Sequence, residues 1–224
     1  IKKWSKKKPV RKYKSRFARR RISAKKTSRM IRMNNLVSKT KVVKMTYCQR
    51  FQIIPPTADV AAPWWFRPNS IYDPDASSIP GNQPKFHDQW SQFYEHYTVV
   101  GAKATLKFVN KSTPMSIFFG LQSDQNTTNN TFDALCMQEG MRRRDITLEK
   151  PFCTFVAKYS KKKTFRGTEG SRNTAAFGNN PLEQLYYRVA VINTEPGIPP
   201  TKVVGILKID YIVLLTEPKS VGVS

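Results

Sequence analysis

The chain has 224 residues and a formal charge of +24, from 39 Lys+Arg against 15 Asp+Glu, with 39% hydrophobic and 12% aromatic side chains. That apolar content builds the core of one ordinary domain, or at most two small ones, and excludes a chain disordered throughout. No apolar stretch reaches the roughly 18 residues that cross a bilayer. Three cysteines (Cys48, Cys136, Cys153) and two histidines (His87, His96), without a Cys-x-x-Cys pair, supply neither a disulfide framework nor a structural zinc site, so a reducing compartment is expected, with no metal and no cofactor.

The charge is concentrated at the start. The first acidic residue is Asp59; residues 1–58 hold 20 Lys/Arg, whereas the remaining 166 residues hold 19 against 15 acids, a net of +4. A basic N-terminal arm, residues 1–36, thus precedes a nearly neutral body, residues 37–224. The arm carries Lys2, Lys3, Lys6, Lys7, Lys8, Arg11, Lys12, Lys14, Arg16, Arg19, Arg20, Arg21, Lys25, Lys26, Arg29 and Arg32, interleaved with Trp4, Tyr13 and Phe17. It has no apolar face wide enough to fold alone and is expected to stay disordered until a polyanion binds. Each cation that meets a phosphate releases a condensed counterion, which gives affinity with little sequence preference. The aromatics suit unpaired bases, stacking on which contributes about 1–3 kcal/mol each. The same run also reads as a nuclear address recognised by host import factors. A membrane surface fits less well, because the stripe of Tyr13, Phe17 and Arg20 is thin and broken by charge.

From residue 37 the pattern changes to alternation, the mark of half-buried strands. Residues 37–54 put Val43, Met45, Tyr47, Phe51 and Ile53 on one face; residues 98–109 do the same with Val100, Ala102, Ala104, Leu106 and Phe108. Shorter runs are 115–122 (Met115, Ile117, Phe119, Leu121), 152–159 (Cys153, Phe155, Ala157, Tyr159) and 185–193 (Leu185, Tyr187, Val189, Val191). The last, 203–216, aligns Val203, Leu207, Ile209, Tyr211, Val213 and Leu215. Weaker strands are expected at 62–67 and 143–148. Between them, Trp90, Phe93, Tyr94 and Tyr97 stand at i, i+3, i+4 and i+7 behind Asp88, which predicts a short N-capped helix whose aromatics anchor the core. Eight one-sided strands predict an all-β two-sheet sandwich of the jelly-roll type. The long connections 55–88, 123–142 and 160–184 are expected to be surface and contact loops.

Catalysis finds no support: neither histidine sits in a nucleophile motif, and no Gly-rich loop would cradle a phosphate. Asp73, Asp75 and Ser77 lack the further ligand spacing of a calcium loop, and Pro74 reads as a turn.

The segment Tyr72-Asp73-Pro74, Gly81-Asn82-Gln83-Pro84, His87-Asp88-Gln89-Trp90, Tyr94 and Tyr97-Thr98-Val99-Val100-Gly101-Ala102-Lys103-Ala104 resembles capsid proteins of small circular Rep-encoding single-stranded DNA viruses, the circovirus-like group. The resemblance implies one jelly roll with strands B to I, in which B, I, D and G form one sheet and C, H, E and F the other. It also implies a homo-oligomeric icosahedral shell of about 60 copies, the arm turned inward onto a single-stranded DNA genome, location in the virion and in the host nucleus during assembly, and an attachment receptor of unknown identity. Zinc-finger ligands of related plant-virus coat proteins are absent. About 60 copies of residues 1–58, each +20, sum to roughly 1,200 charges, comparable with the phosphates of one to two kilobases.

That strand order carries a further expectation. Lys44, Arg50, Lys208, Lys103, Lys107 and Lys158 would share the outer face of the first sheet, with Lys103 and Lys107 beside the packaged polymer; the alternative is an ordinary solvated face. Trp64, Trp65, Phe66 and Tyr72, in the Pro-rich connection, would either anchor a subunit interface or plug the end of the sandwich. Lys161, Lys162, Lys163, Arg166 and Arg172 would form a solvated loop or touch nucleic acid or an acidic receptor. A jelly-roll coat protein of an RNA satellite virus and a cellular basic nucleic-acid-binding protein are the competing identities.

Overall fold

The computed structural model describes residues 37–56, 60–77, 82–110, 113–125, 130–166, 171–194 and 201–220. The expected nucleic-acid contacts from Lys2 to Arg32 lie outside these residues. Along the described residues run β1 (Thr40–Ile53), β2 (Ala62–Phe66), α1 (His87–Ser91), β3 (Tyr94–Val109), β4 (Met115–Gln122), α2 (Phe132–Met137), β5 (Met141–Ile146), β6 (Phe152–Ser160), α3 (Lys161–Phe165), β7 (Thr174–Ala176), β8 (Tyr186–Asn193) and β9 (Val203–Pro218).

Alternation decides the layering. One sheet has the order β1-β9-β3-β6, with β7 added to β3; the other has the order β2-β8-β4-β5. Every pairing is antiparallel. With β1 to β6, β8 and β9 taken as strands B to I, these are the BIDG and CHEF sheets of a jelly roll. The inward residues of both sheets form one cluster that includes Phe51, Phe66, Leu106, Phe108, Phe119, Phe155, Tyr187, Leu207 and Tyr211. Phe51 meets Phe66 and Phe108 edge-on, at centroid distances of 5.2 and 5.7 Å. Gly205 faces this ring cluster: a Cβ there would lie 2.5 Å from the Phe51 ring and 2.8 Å from the Phe108 ring, so the absence of a side chain lets the two rings close over β9.

Four sequence expectations are corrected. First, β3 begins at Tyr94, not residue 98, and its register with β9 shifts between Val99 and Gly101. The bulge switches parity, so Val99 is buried while Val100 is exposed. Second, α1 ends at Ser91 and is preceded not by a capping Asp88 but by Phe86, in the left-handed region at φ 71°. Tyr94 and Tyr97 are strand residues, packed against Trp90 and Phe177 respectively, and Phe93 is exposed. Third, nine strands run through the described residues, because β7 adds to β3 at His96 to Thr98. Fourth, the expected loop 123–142 contains α2, whose N-cap Thr131 accepts a hydrogen bond from the Ala134 amide. The segment around α2 covers the second face of β4 and β8: Phe118, Ala190 and Ile192 pack there with Ala61 and Leu135, and Phe132 meets Phe118 edge-on.

Candidate nucleic-acid interface

Because side chains alternate across a strand, the register fixes what the outer face of the β1-β9-β3-β6 sheet presents. Four cross-strand rows follow from it: Arg50, Ile206, Lys107, Thr154; then Cys48, Lys208, Thr105, Val156; then Thr46, Asp210, Lys103, Lys158; then Lys44, Ile212, Gly101, Ser160. The six cations anticipated from the sequence do share this face, and all are exposed. The four rows contain a single carboxylate, Asp210. It accepts a hydrogen bond from the Thr46 hydroxyl at 2.8 Å and pairs with the Lys208 ammonium at 3.1 Å. Partial burial pushes the Asp210 pKa up, but Thr46, Lys208 and Lys103 outweigh it and hold the carboxyl below its ordinary value.

Two features of this face bear on its role. Lysines on edge strands blunt unwanted pairing, which accounts for Lys44 on β1 and Lys158 on β6 but not for Lys103, Lys107 and Lys208 on the two central strands. In addition, Lys103 stands directly opposite Lys158. Like charges in that position destabilise a sheet, and Asp210 on the other side of Lys103 offsets only part of it. A surface that tolerates such repulsion is suited to an external polyanion.

Cations of this face line two grooves, one across the sheet and one beyond its β6 edge. Lys44, Lys103 and Lys158 line a groove of about 490 Å³. Lys158 and Arg142 line a second one of about 430 Å³ where β6 approaches β5. The three consecutive arginines of β5 are a signal the sequence reading passed over: Arg142 is exposed, Arg143 is tied to Asp145 at 2.8 Å, and Arg144 lies over the Phe155 ring at 5.6 Å. In the late loop, Lys161 to Lys163 form one turn of α3, with Arg166 at its end and Arg172 exposed beyond.

The four aromatics expected at an interface are turned mostly inward. Phe66 has no exposed surface and belongs to the core. Trp65 is buried on the opposite side of β2, where the Arg188 guanidinium lies 5.1 Å over its ring. Arg188, itself buried, donates to Gln138 at 2.7 Å and to Asn130. Trp64 is half-buried against Phe51 and donates from Nε1 to Asp75 at 3.0 Å; Tyr72 is half-buried 6.4 Å from His87. Packing within the chain therefore accounts for Trp65 and Phe66, which have almost no surface left for a neighbour, and only Trp64 and Tyr72 keep a face to offer.

The buried carboxylates are held by protein donors. Asp73 pairs with Arg67 at 2.7 Å, and Asp75 accepts from Gln49 at 2.6 Å as well as from Trp64. Elsewhere, one ligand atom each from Glu95, His96 and Glu217 falls within 4.8 Å of the others; His96 and Glu217 form an ion pair at 2.9 Å on a largely exposed strand end.

No known protein family matches the chain, and no curated protein matches it. Solved structures do. A chain of Mud crab tombus-like virus superposes at a TM-score of 0.53 with 18% identity, over 85% of this chain and 95% of that one. A chain of Macrobrachium rosenbergii nodavirus gives 0.52 and 14%, over 84% and 56%, and one of Cocksfoot mottle virus gives 0.50 and 12%, over 81% and 97%. The body of this protein accordingly has the jelly-roll fold found in these virus structures.

Proposed function

We propose that this chain is a viral capsid protein whose jelly-roll body assembles into an icosahedral shell of about 60 copies and whose basic arm packages a single-stranded genome. The observation that carries the reading is the joining of a carboxylate-free leader, residues 1–36 with 16 Lys/Arg, to a two-sheet body of the virus-particle fold. The leader neutralises phosphates, and the outer face of the β1-β9-β3-β6 sheet, with six cations against Asp210, extends the same chemistry onto the wall. Repulsion among many such leaders opposes an empty closed shell, so filling and closure are coupled. The circovirus-like motif at Tyr72 to Ala104 favours circular single-stranded DNA as the cargo, with the arm also serving as the address for host import factors and the nucleus as the place of assembly.

RNA is the second reading, because counterion release does not distinguish the two polymers and the fold is shared with tombus-like virus, nodavirus and Cocksfoot mottle virus structures. Negative-stain microscopy of the purified protein, followed by nuclease digestion of the contents, tests both. Closed particles whose contents yield to DNase support the first, contents that yield only to RNase support the second, and monomers that ignore polynucleotides at low ionic strength refute the capsid reading.

A further inference from the structure

At one corner of the body, beside the start of β1, two aromatic rings stand exposed. Phe86 is 64% exposed and Phe93 44% exposed. With the half-buried Trp90, Gln89, Val43 and Lys44 they line a groove of about 460 Å³. Phe86 keeps its exposed position despite a φ of 71°, a backbone region costly for a bulky residue. The rim is cationic: the Lys41 ammonium lies 4.8 Å over the Trp90 ring, and Lys44 and Lys85 are exposed. The acid of the same turn, Asp88, faces His87 Nδ1 at 3.0 Å.

We infer that this corner is a base-stacking platform for single-stranded nucleic acid, with Phe86 and Phe93 receiving unpaired bases and Lys41, Lys44 and Lys85 holding the adjoining phosphates. The inference deepens the packaging reading and rests on it. Charge complementarity favours a polyanion over a second copy of the chain. Continuity gives the same answer, because Lys44 lines both this groove and the 490 Å³ groove of the basic sheet face. The four central rows of that face hold cations and no aromatic ring, so the sheet engages phosphates and the corner engages bases. The apolar lining also extends beyond this groove, since Val37 and Val42 line the adjoining one together with Trp90 and Phe93. A duplex keeps its π-faces stacked internally, whereas a single strand exposes them; the platform therefore selects single strands.

The test uses the full-length protein and two labelled single strands of equal length, one normal and one abasic with the sugar-phosphate chain intact, at a salt concentration that weakens the arm's electrostatic hold. The double variant Phe86→Ala/Phe93→Ala is expected to bind the normal strand at least about thirtyfold more weakly and the abasic strand as the unmodified protein does. Phe93→Tyr, which keeps a ring, is expected to retain affinity. Equal loss on both strands, or loss on neither, overturns the platform. Unchanged affinity combined with failure to close shells overturns it too and assigns the corner to a contact between copies. An unmodified protein that binds neither strand at low salt brings down the packaging reading and this inference with it.

Discussion

Replacing Lys103 and Lys107 by glutamine separates a nucleic-acid face from a merely solvated one. On β3, Lys103 stands between Lys158 and Asp210, and Lys107 between Thr154 and Ile206. Removing Lys103 deletes one repulsion and one attraction, each about 0.2–1 kcal/mol for cross-strand charges, and removing Lys107 deletes no charge pair. The two effects have opposite signs, so folding stability should move by no more than about 0.5 kcal/mol. Binding should move more. Each cation–phosphate contact contributes about 0.7 to the slope of log affinity against log salt on a single strand. Two lost contacts flatten that slope by about 1.4, which amounts to a roughly sevenfold change in the affinity ratio over a fourfold change in salt. Fluorescence anisotropy across a salt series reads the slope, and thermal unfolding reads the stability. An unchanged slope with unchanged melting refutes the interface; a large drop in melting temperature shows that the lysines are structural.

Further outcomes follow from single features. Gly205→Ala drives a methyl group into the Phe51 and Phe108 rings and should destabilise the body by about 1–3 kcal/mol as overpacking, read as a lower midpoint in urea; an unchanged midpoint would show that the rings move aside freely. The Asp210 pKa lies below its ordinary 3.8 because Thr46 and Lys208 favour the carboxylate, so its contribution is present above that value and lost as pH falls through the lowered one. Asp210→Asn should therefore flatten the acid limb of a stability–pH curve below about pH 4, and an unaltered limb would contradict the pairing. Burial pushes the Cys153 thiol up to about 11, while Cys48 and Cys136 are exposed; a thiol reagent at neutral pH should label two thiols in the folded protein and the third only after unfolding, and rapid labelling of all three would refute the buried position of β6.

Much of the architecture was legible because exposure on one side leaves a period of two. Val43, Met45, Tyr47, Phe51 and Ile53 on β1, and Val203 through Leu215 on β9, face the core as their spacing requires. Strand order came with the resemblance, since alternation says which side of a strand is wet and nothing about its neighbours. The failures have local causes. A bulge at Val99/Gly101 inverted Val100, and strand residues covered on both sides at Tyr94 and Tyr97 imitated a helical repeat. The unbroken runs Ile117-Phe118-Phe119 and Val189-Ala190-Val191-Ile192 carried the mark of burial on two faces, which called for a covering element where α2 lies. At the candidate site, the lysine face followed from parity. The corner of Phe86, Phe93 and Trp90 did not, because exposure of an aromatic is a tertiary fact.

The position of β9 sets an order of events in synthesis. It is paired along its length with β1 on one side and β3 on the other, yet it is the last described strand to leave the ribosome. Until it emerges, β1 has no hydrogen-bonding neighbour and β3 lacks the one on that side, so the larger sheet closes late, by contacts of long sequence separation that fold slowly. The Lys/Arg-rich residues 1–36 precede β1 in the chain and so leave the ribosome before every described strand. If the packaging proposal holds, a polymer that engages this arm brings the unpaired strands of several nascent chains to high local concentration, where mispairing between chains competes with completion of each sheet.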